Sequence, residues 1–194
     1  MVDIKNENEV RSMRAAGRVV AQALAAAREA AAVGVSLREL DAAAAAVIRA
    51  AGATPAFLDY HPSWAPSPFP GVVCASVNDA IVHGIPTDYR LADGDLVSLD
   101  CGAFLDGWCG DSAISFVVGA ADPEDLSLIA DTEAALARGI EAARVGNRIG
   151  DIADAIGAFA RSRGRGVLAH HRGPRIRRAK HEDPHLPNQG RPGR

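Results

Sequence analysis

Apolar positions in the first part of the chain recur at helical spacing. Over residues 6–32, Val10, Met13, Val19, Val20 and Leu24 stand in an alanine-rich run, which predicts one long helix ended by Gly34. "SLRE", Ser36 to Glu39, has the form of a capping box and opens a second helix to about Ala51. The Pro-rich stretch "HPSWAPSPFPG" then crosses the surface, and the pattern changes to strand-like segments over 71–76, 95–104 and 108–118. Asp122 as N-cap and Pro123 at the first helical position predict a helix to about Val145, with another from about Ile149 to Arg161. "EAAAVGVSLRELDAA" (29–43) and "EAARVGNRIGDIADA" (141–155) align at a constant offset: Glu, Ala, Ala, Val and Gly coincide, and Leu37 and Leu40 match Ile149 and Ile152. Either a half-domain is duplicated, or two alanine-rich helix pairs resemble each other by chance.

Asp106-Gly107 between two apolar, β-prone runs is a strong hairpin signal. With those two residues as the loop, Leu105 faces Trp108, Asp100 faces Ala113 and Asp111 faces Gly102. Asp100 and Asp111 then project from one face as diagonal neighbours, roughly 7–8 Å apart at the backbone. A slip of one residue would part them. Two carboxylates on one buried face repel unless one is protonated or a cation lies between them. Oxygen donors on a rigid hairpin suit a pair of divalent ions in a hydrolytic centre; the alternative is that these aspartates cap turns or line a solvated face. His83 lies in "VHGIP", where Gly84 and Pro86 fix a turn just before the acidic strand, a position open to a structural or a substrate-contacting role.

Composition narrows the class. The chain has 194 residues, 48% hydrophobic and 23% charged, enough for one full domain or two small ones. No apolar run approaches the roughly 20 residues of a membrane span, and "MVDIKNENEV" has no hydrophobic signal core. Cys74, Cys101 and Cys109 show no redox or metal spacing, which suits a reducing compartment, so the cytoplasm is expected. Charge is uneven: residues 161–194 hold ten Lys/Arg against two Asp/Glu, leaving −11 of the formal −3 total on residues 1–160. That tail is a solvated segment or, less favoured, a nucleic-acid patch.

"SVNDAIVHGIP", "LADGDLVSLDCGAFLDGWCGDSAISFVVG" and "HEDPHLPNQGRPG" together closely resemble the type I methionine aminopeptidases, from about residue 5 to 164 and again from 181. The resemblance implies an α/β (α+β) pita-bread fold: an antiparallel sheet with helices on its outer face and two pseudo-symmetric halves, here with the second half incomplete. It implies removal of the initiator methionine from nascent polypeptides by two divalent metal ions (Co, Mn, Fe or Zn). On matching positions, Asp100 would chelate one ion and Asp111 bridge both. His83 would contact the substrate's amino end or scissile amide, and His181 would stabilise the tetrahedral intermediate. Tyr60, Phe69 and Cys74 would line an apolar methionine pocket. A monomer is expected, with the ribosome a candidate partner and neither membrane nor nucleic acid expected.

The pattern also departs from the family. Its Gly-His-Gly-Ile-Gly-Arg motif reads "GPRIRR" here (173–178), with Pro174 at the position of a histidine ligand, and Lys180 replaces an aromatic residue before His181. Two glutamate ligands expected further on have no counterpart before Arg194, so three of the five ligands the family uses are unmatched. Gly-His-Gly codons read out of frame can give Pro-Arg, and "RGVLAHHRGPRIRRAK" is arginine-rich as out-of-frame GC-rich sequence tends to be, whereas true divergence is the alternative. The expectation is an aminopeptidase domain over 1–164, an aberrant basic tail over 165–194 that is a candidate for disorder, and negligible turnover by the chain as written. Two rival readings are a non-catalytic module of the same fold that binds ribosome, RNA or peptide, and a proline-specific peptidase. The HGIP and D-x10-D match and the short N-terminal extension weigh against the second.

Overall fold

The computed structural model describes residues 4–63, 65–168, 172–175 and 182–194. They fall into two compact units, residues 4–122 and residues 123–168 with 172–175 and 182–194.

The first unit opens with α1 (Glu7–Ala30) and α2 (Leu37–Ala50). Both start on a capping box. Asn6 Oδ1 accepts from the Asn8 and Glu9 amides while Glu9 returns a carboxylate to the Asn6 amide at 2.9 Å. The Ser36–Glu39 box read in the sequence forms with bonds of 3.3 and 2.8 Å. Gly34, at φ +87°, makes the left-handed break between the helices that a residue with a side chain would resist.

Four strands follow: β1 (Thr54–Pro55), β2 (Val73–Val77), β3 (Leu96–Leu105) and β4 (Trp108–Val117). β4 pairs along the whole of one edge of β3, and β1 and β2 share the other edge end to end, all antiparallel. Asp106 (φ 50°) and Gly107 (φ 76°) are both left-handed, the backbone of a type I′ turn. That turn fixes the register as expected: Leu105 faces Trp108, Asp100 faces Ala113, Gly102 faces Asp111. The two-residue β1 has no periodicity to reveal it and was not anticipated.

Strand alternation sends Val73, Ala75, Val97, Leu99, Cys101, Ala103 and Phe116 to the helix side, where they form one core with Val20, Leu24, Leu40 and Ile48. Each fully buried aliphatic side chain there contributes about 1.5–3 kcal/mol of transfer free energy. Helix and sheet meet closely at Gly110, where a Cβ would lie 2.7 Å from the Ala16 carbonyl carbon. The Asp41 carboxylate on α2 accepts from the Val72 and Val73 amides at 2.7 and 3.0 Å, pinning the start of β2.

The second unit holds α3 (Pro123–Ala142), α4 (Ile149–Ser162), β5 (Arg172–Arg175) and β6 (Glu182–Pro187). α3 and α4 cross where Gly139 leaves room for Ile156. Their junction repeats the one between α1 and α2: Gly146 is left-handed at +96° as Gly34 is, and the Asp151 carboxylate accepts from the Arg148 amide at 2.6 Å as Glu39 does from Ser36. These are the segments that align in the sequence. Within the basic segment, β5 and β6 pair antiparallel, which alternation did not predict. The register shifts between Gly173 and Arg175, around Pro174, which has no N–H to give to a ladder.

Candidate metal centre

The face of the first unit's sheet that the helices leave free carries the chemistry. Alternation places Cys74 and Ser76 of β2, Ser98, Asp100, Gly102 and Phe104 of β3, and Asp111, Ala113 and Ser115 of β4 on it. Cys74 pairs with Asp100 across one edge of β3, and Asp111 sits diagonally to Asp100 across the other. Both carboxylates are half-buried. Gly102 between them is closely covered: a Cβ there would lie 3.0 Å from Phe57 Cε1 and 3.4 Å from Asp111 Oδ2. The concentration of negative charge shows at Cys101, whose thiol is pushed up to about 12 by burial and then by Asp100, Asp111 and Asp41.

These are hard oxygen donors, the kind that divalent cations take. The pair suits such an ion in type, but among the described residues no group of three or more His, Cys, Asp or Glu gathers to complete a metal site.

An apolar wall stands beside the carboxylates. Ala56, Phe57 and Cys74 are buried together, with Phe69 and Phe104 packed against them. Phe57 and Phe69 meet edge to face, centroids 6.5 Å apart. Backbone bonds hold this segment: Tyr60 N to Phe57 O at 2.9 Å, Phe69 N to Tyr60 O at 3.0 Å and Asp59 N to Phe69 O at 2.9 Å. Phe69 and Cys74, both expected in a pocket, therefore share one cluster. Tyr60 is tied to it through its backbone, with its residue 41% exposed. Phe57 and Phe104 were not singled out from the sequence. Phe104 could have been, since it alternates with Asp100 and Gly102; Phe57 comes from a segment with no periodicity.

His83 is exposed and left-handed (φ 58°). Its neighbour Gly84 lies flush on β2: the Ala75 amide donates to Gly84 O at 2.8 Å and the Gly84 amide to Ser76 Oγ at 3.1 Å. A Cβ on Gly84 would stand 2.1 Å from Ala75 O. Position 83 is thus held at the outer edge of β2, next to the residues that follow Cys74. Lys180 and His181 lie outside the described residues.

Residues 11–194 match the metallopeptidase family M24. The "Methionine aminopeptidase 1" of Mycobacterium tuberculosis is 49% identical over 201 residues, an alignment taking in all of this chain and 73% of that protein. The chain belongs to family M24. Within it, the similarity lies with the methionine aminopeptidases, as the HGIP and D-x10-D residues implied. The crystal structure of methionine aminopeptidase from Rickettsia prowazekii has a TM-score of 0.94 at 34% identity, covering all of this chain and 76% of that one. The prolidase of Pyrococcus horikoshii, at 22% identity and a TM-score of 0.81, shares the fold alone. The fold is accordingly the α/β pita-bread fold of the M24 enzymes, and the chain spans about three quarters of the length of its methionine aminopeptidase relatives. M24 membership makes it a metallopeptidase, a hydrolase that works with divalent metal.

Proposed function

We propose that this chain is a methionine aminopeptidase whose site is the free sheet face of residues 4–122. The observation that carries the reading is the diagonal placement of Asp100 and Asp111 on one face, beside the Phe57–Phe69–Cys74 wall. Asp100 and Asp111 are the residues that would hold divalent metal. Such ions, when bound, supply Lewis acidity and water activation. The wall takes the unbranched thioether of an N-terminal methionine by apolar contact and excludes water around it, with Tyr60 at its margin. His83, fixed by Gly84, offers an imidazole to the substrate's amine or scissile amide. The role the resemblance gives His181 belongs to the same reading.

Two carboxylates make a weak cation site, and Pro174 supplies no donor atom where the family has an imidazole. Turnover by the 194-residue chain is therefore expected to be negligible, and robust release of methionine from a Met-Ala peptide with added Co(II), Mn(II) or Fe(II) would overturn that expectation. The site itself is tested by Mn(II) binding followed by electron paramagnetic resonance. Asp100→Asn and Asp111→Asn should each weaken binding by tenfold or more, a loss of about 1.4 kcal/mol. Equal affinity in both variants and the parent would end the assignment.

A further inference from the structure

We propose that Asp95 is the positioning residue for His83, its buried carboxylate tying together both ends of the loop that presents the imidazole. The inference rests on the reading of His83 as the group that meets the substrate.

The loop leaves β2 at Asn78 and rejoins the sheet at Leu96. Asp95, only 5% exposed, stands where the two ends meet. Three neutral donors converge on it: Asn78 Nδ2 at 2.9 Å to Oδ1, and the Tyr89 hydroxyl at 2.9 Å and the Ala92 amide at 2.8 Å, both to Oδ2. Asn78 completes the closure, its Oδ1 accepting from the Leu96 amide at 3.0 Å and its own amide donating to Leu96 O at 2.8 Å. Between the ends the loop is bonded to β2 through Gly84. An open groove of about 330 Å³ runs alongside it, lined by Leu37, Ala75, Val77, Ala80, Ile85 and Tyr89. Its crest residues Ile81, Val82 and Ile85 are exposed. Residues 87–91 are held separately, the Leu37 and Arg38 amides donating to Tyr89 O and Thr87 O at 3.1 Å and Leu91 being buried, so the exposed stretch 79–83 hangs between Asn78 and Gly84, and the ties at those two points determine where His83 stands. Asp100 and Asp111 lie on β3 and β4 outside this network, so slackening the loop moves the imidazole relative to the carboxylates and leaves the hairpin in place.

The chemistry demands an aspartate. An asparagine at 95 has one acceptor oxygen, and its amino group would confront a donor. Exchange of the two side chains repairs this. In Asn78→Asp/Asp95→Asn the amide nitrogen at position 95 donates to the carboxylate at position 78, whose other oxygen still accepts from Leu96. The amide oxygen at 95 serves Tyr89 and Ala92. Position 78 is left-handed (φ 54°), which both residue types tolerate.

The test is NMR on the full chain, with His83 ring signals assigned through His83→Gln. Asp95→Asn should shift or split those signals and speed amide exchange at Ala75 and Gly84 by about tenfold or more, leaving the β3–β4 amides beyond Leu96 unchanged. The double exchange should restore both. Unmoved His83 signals in folded Asp95→Asn, or no recovery in the double variant, would overturn the proposal. Should Asp95→Asn not fold, Tyr89→Phe carries the test, removing one donor from a residue 44% exposed: a smaller shift of the same signals supports the proposal and none refutes it. Titration of the parent with a Met-Ala-Ser peptide separates the two readings. His83 signals that ignore the peptide count against the substrate site and leave the dependence of His83 on Asp95 standing.

Discussion

Gly84 sets the tolerance of the site at the scale of one atom. A methyl group there would overlap Ala75 O at 2.1 Å, and backbone cannot yield as the end of a side chain can. Gly84→Ala should break the bonds to Ala75 and Ser76 and cost about 1–3 kcal/mol in urea unfolding, with the spectral change confined to the loop around His83. Gly102→Ala is milder, because its nearest neighbours at 3.0 Å are the side chains of Ala56 and Phe57. In the second unit, Asp131 is buried between Arg163 (2.8 Å) and Arg165 (2.9 Å). The hydrogen bond from Arg163 leads in holding its carboxyl below the ordinary range, burial opposes, and Arg165 adds to the lowering. A depressed folded pKa gives stability that is present in full above the unfolded value of about 3.9 and lost as pH falls through the lower folded value. Asp131→Asn should therefore flatten the acid limb of the stability curve below about pH 4. Urea titrations at pH 5 and pH 3 with and without the substitution measure it, and an unchanged pH 5-to-3 difference would refute the pairing.

At the scale of elements, the β3–β4 turn decides whether the two acids meet. One glycine inserted between Asp106 and Gly107 should slip β4 along β3, turn Asp111 off the face of Asp100, cost the core contacts of Phe116, and abolish Mn(II) binding; retained affinity would show that register does not matter. This register was legible in the sequence because it is local: a two-residue turn needing left-handed backbone twice, flanked by alternating residues. The capping box at Ser36 and the Pro123 helix start, both predicted, belong to the same short-range chemistry, as does the unpredicted box at Asn6. What escaped depends on distant partners. β1 exists because two residues happen to lie along β3, and β5 and β6 pair through segments broken by prolines. Phe57 joins the pocket wall only through a meandering loop. The Asp95 network likewise gathers residues from both ends of a loop, and no spacing announces it.

For the molecule as a whole, the decisive feature is that both acids, the aromatic wall and His83 all belong to residues 4–122. That unit has its own core and two capped helices and is of ordinary domain size. Net charge sharpens the point: residues 1–122 hold fifteen Asp/Glu against eight Lys/Arg, a net −7 that includes Asp100 and Asp111, so the face bearing these two half-buried carboxylates gains from a bound cation. A fragment of residues 1–122 should thus unfold cooperatively by itself, and Mn(II) should raise its midpoint. Ligand at about 100 times its dissociation constant adds roughly 2.7 kcal/mol, even where the constant is weak. Asp111→Asn in the same fragment should remove the rise while a cooperative transition remains, since it takes away a metal-holding carboxylate and leaves the helix-side core untouched. Near-UV circular dichroism of the melt follows both. A fragment without a transition would show that residues 123–194 are needed for the core. A folded fragment indifferent to millimolar Mn(II) would show that two acids on one ribbon do not by themselves make a cation site.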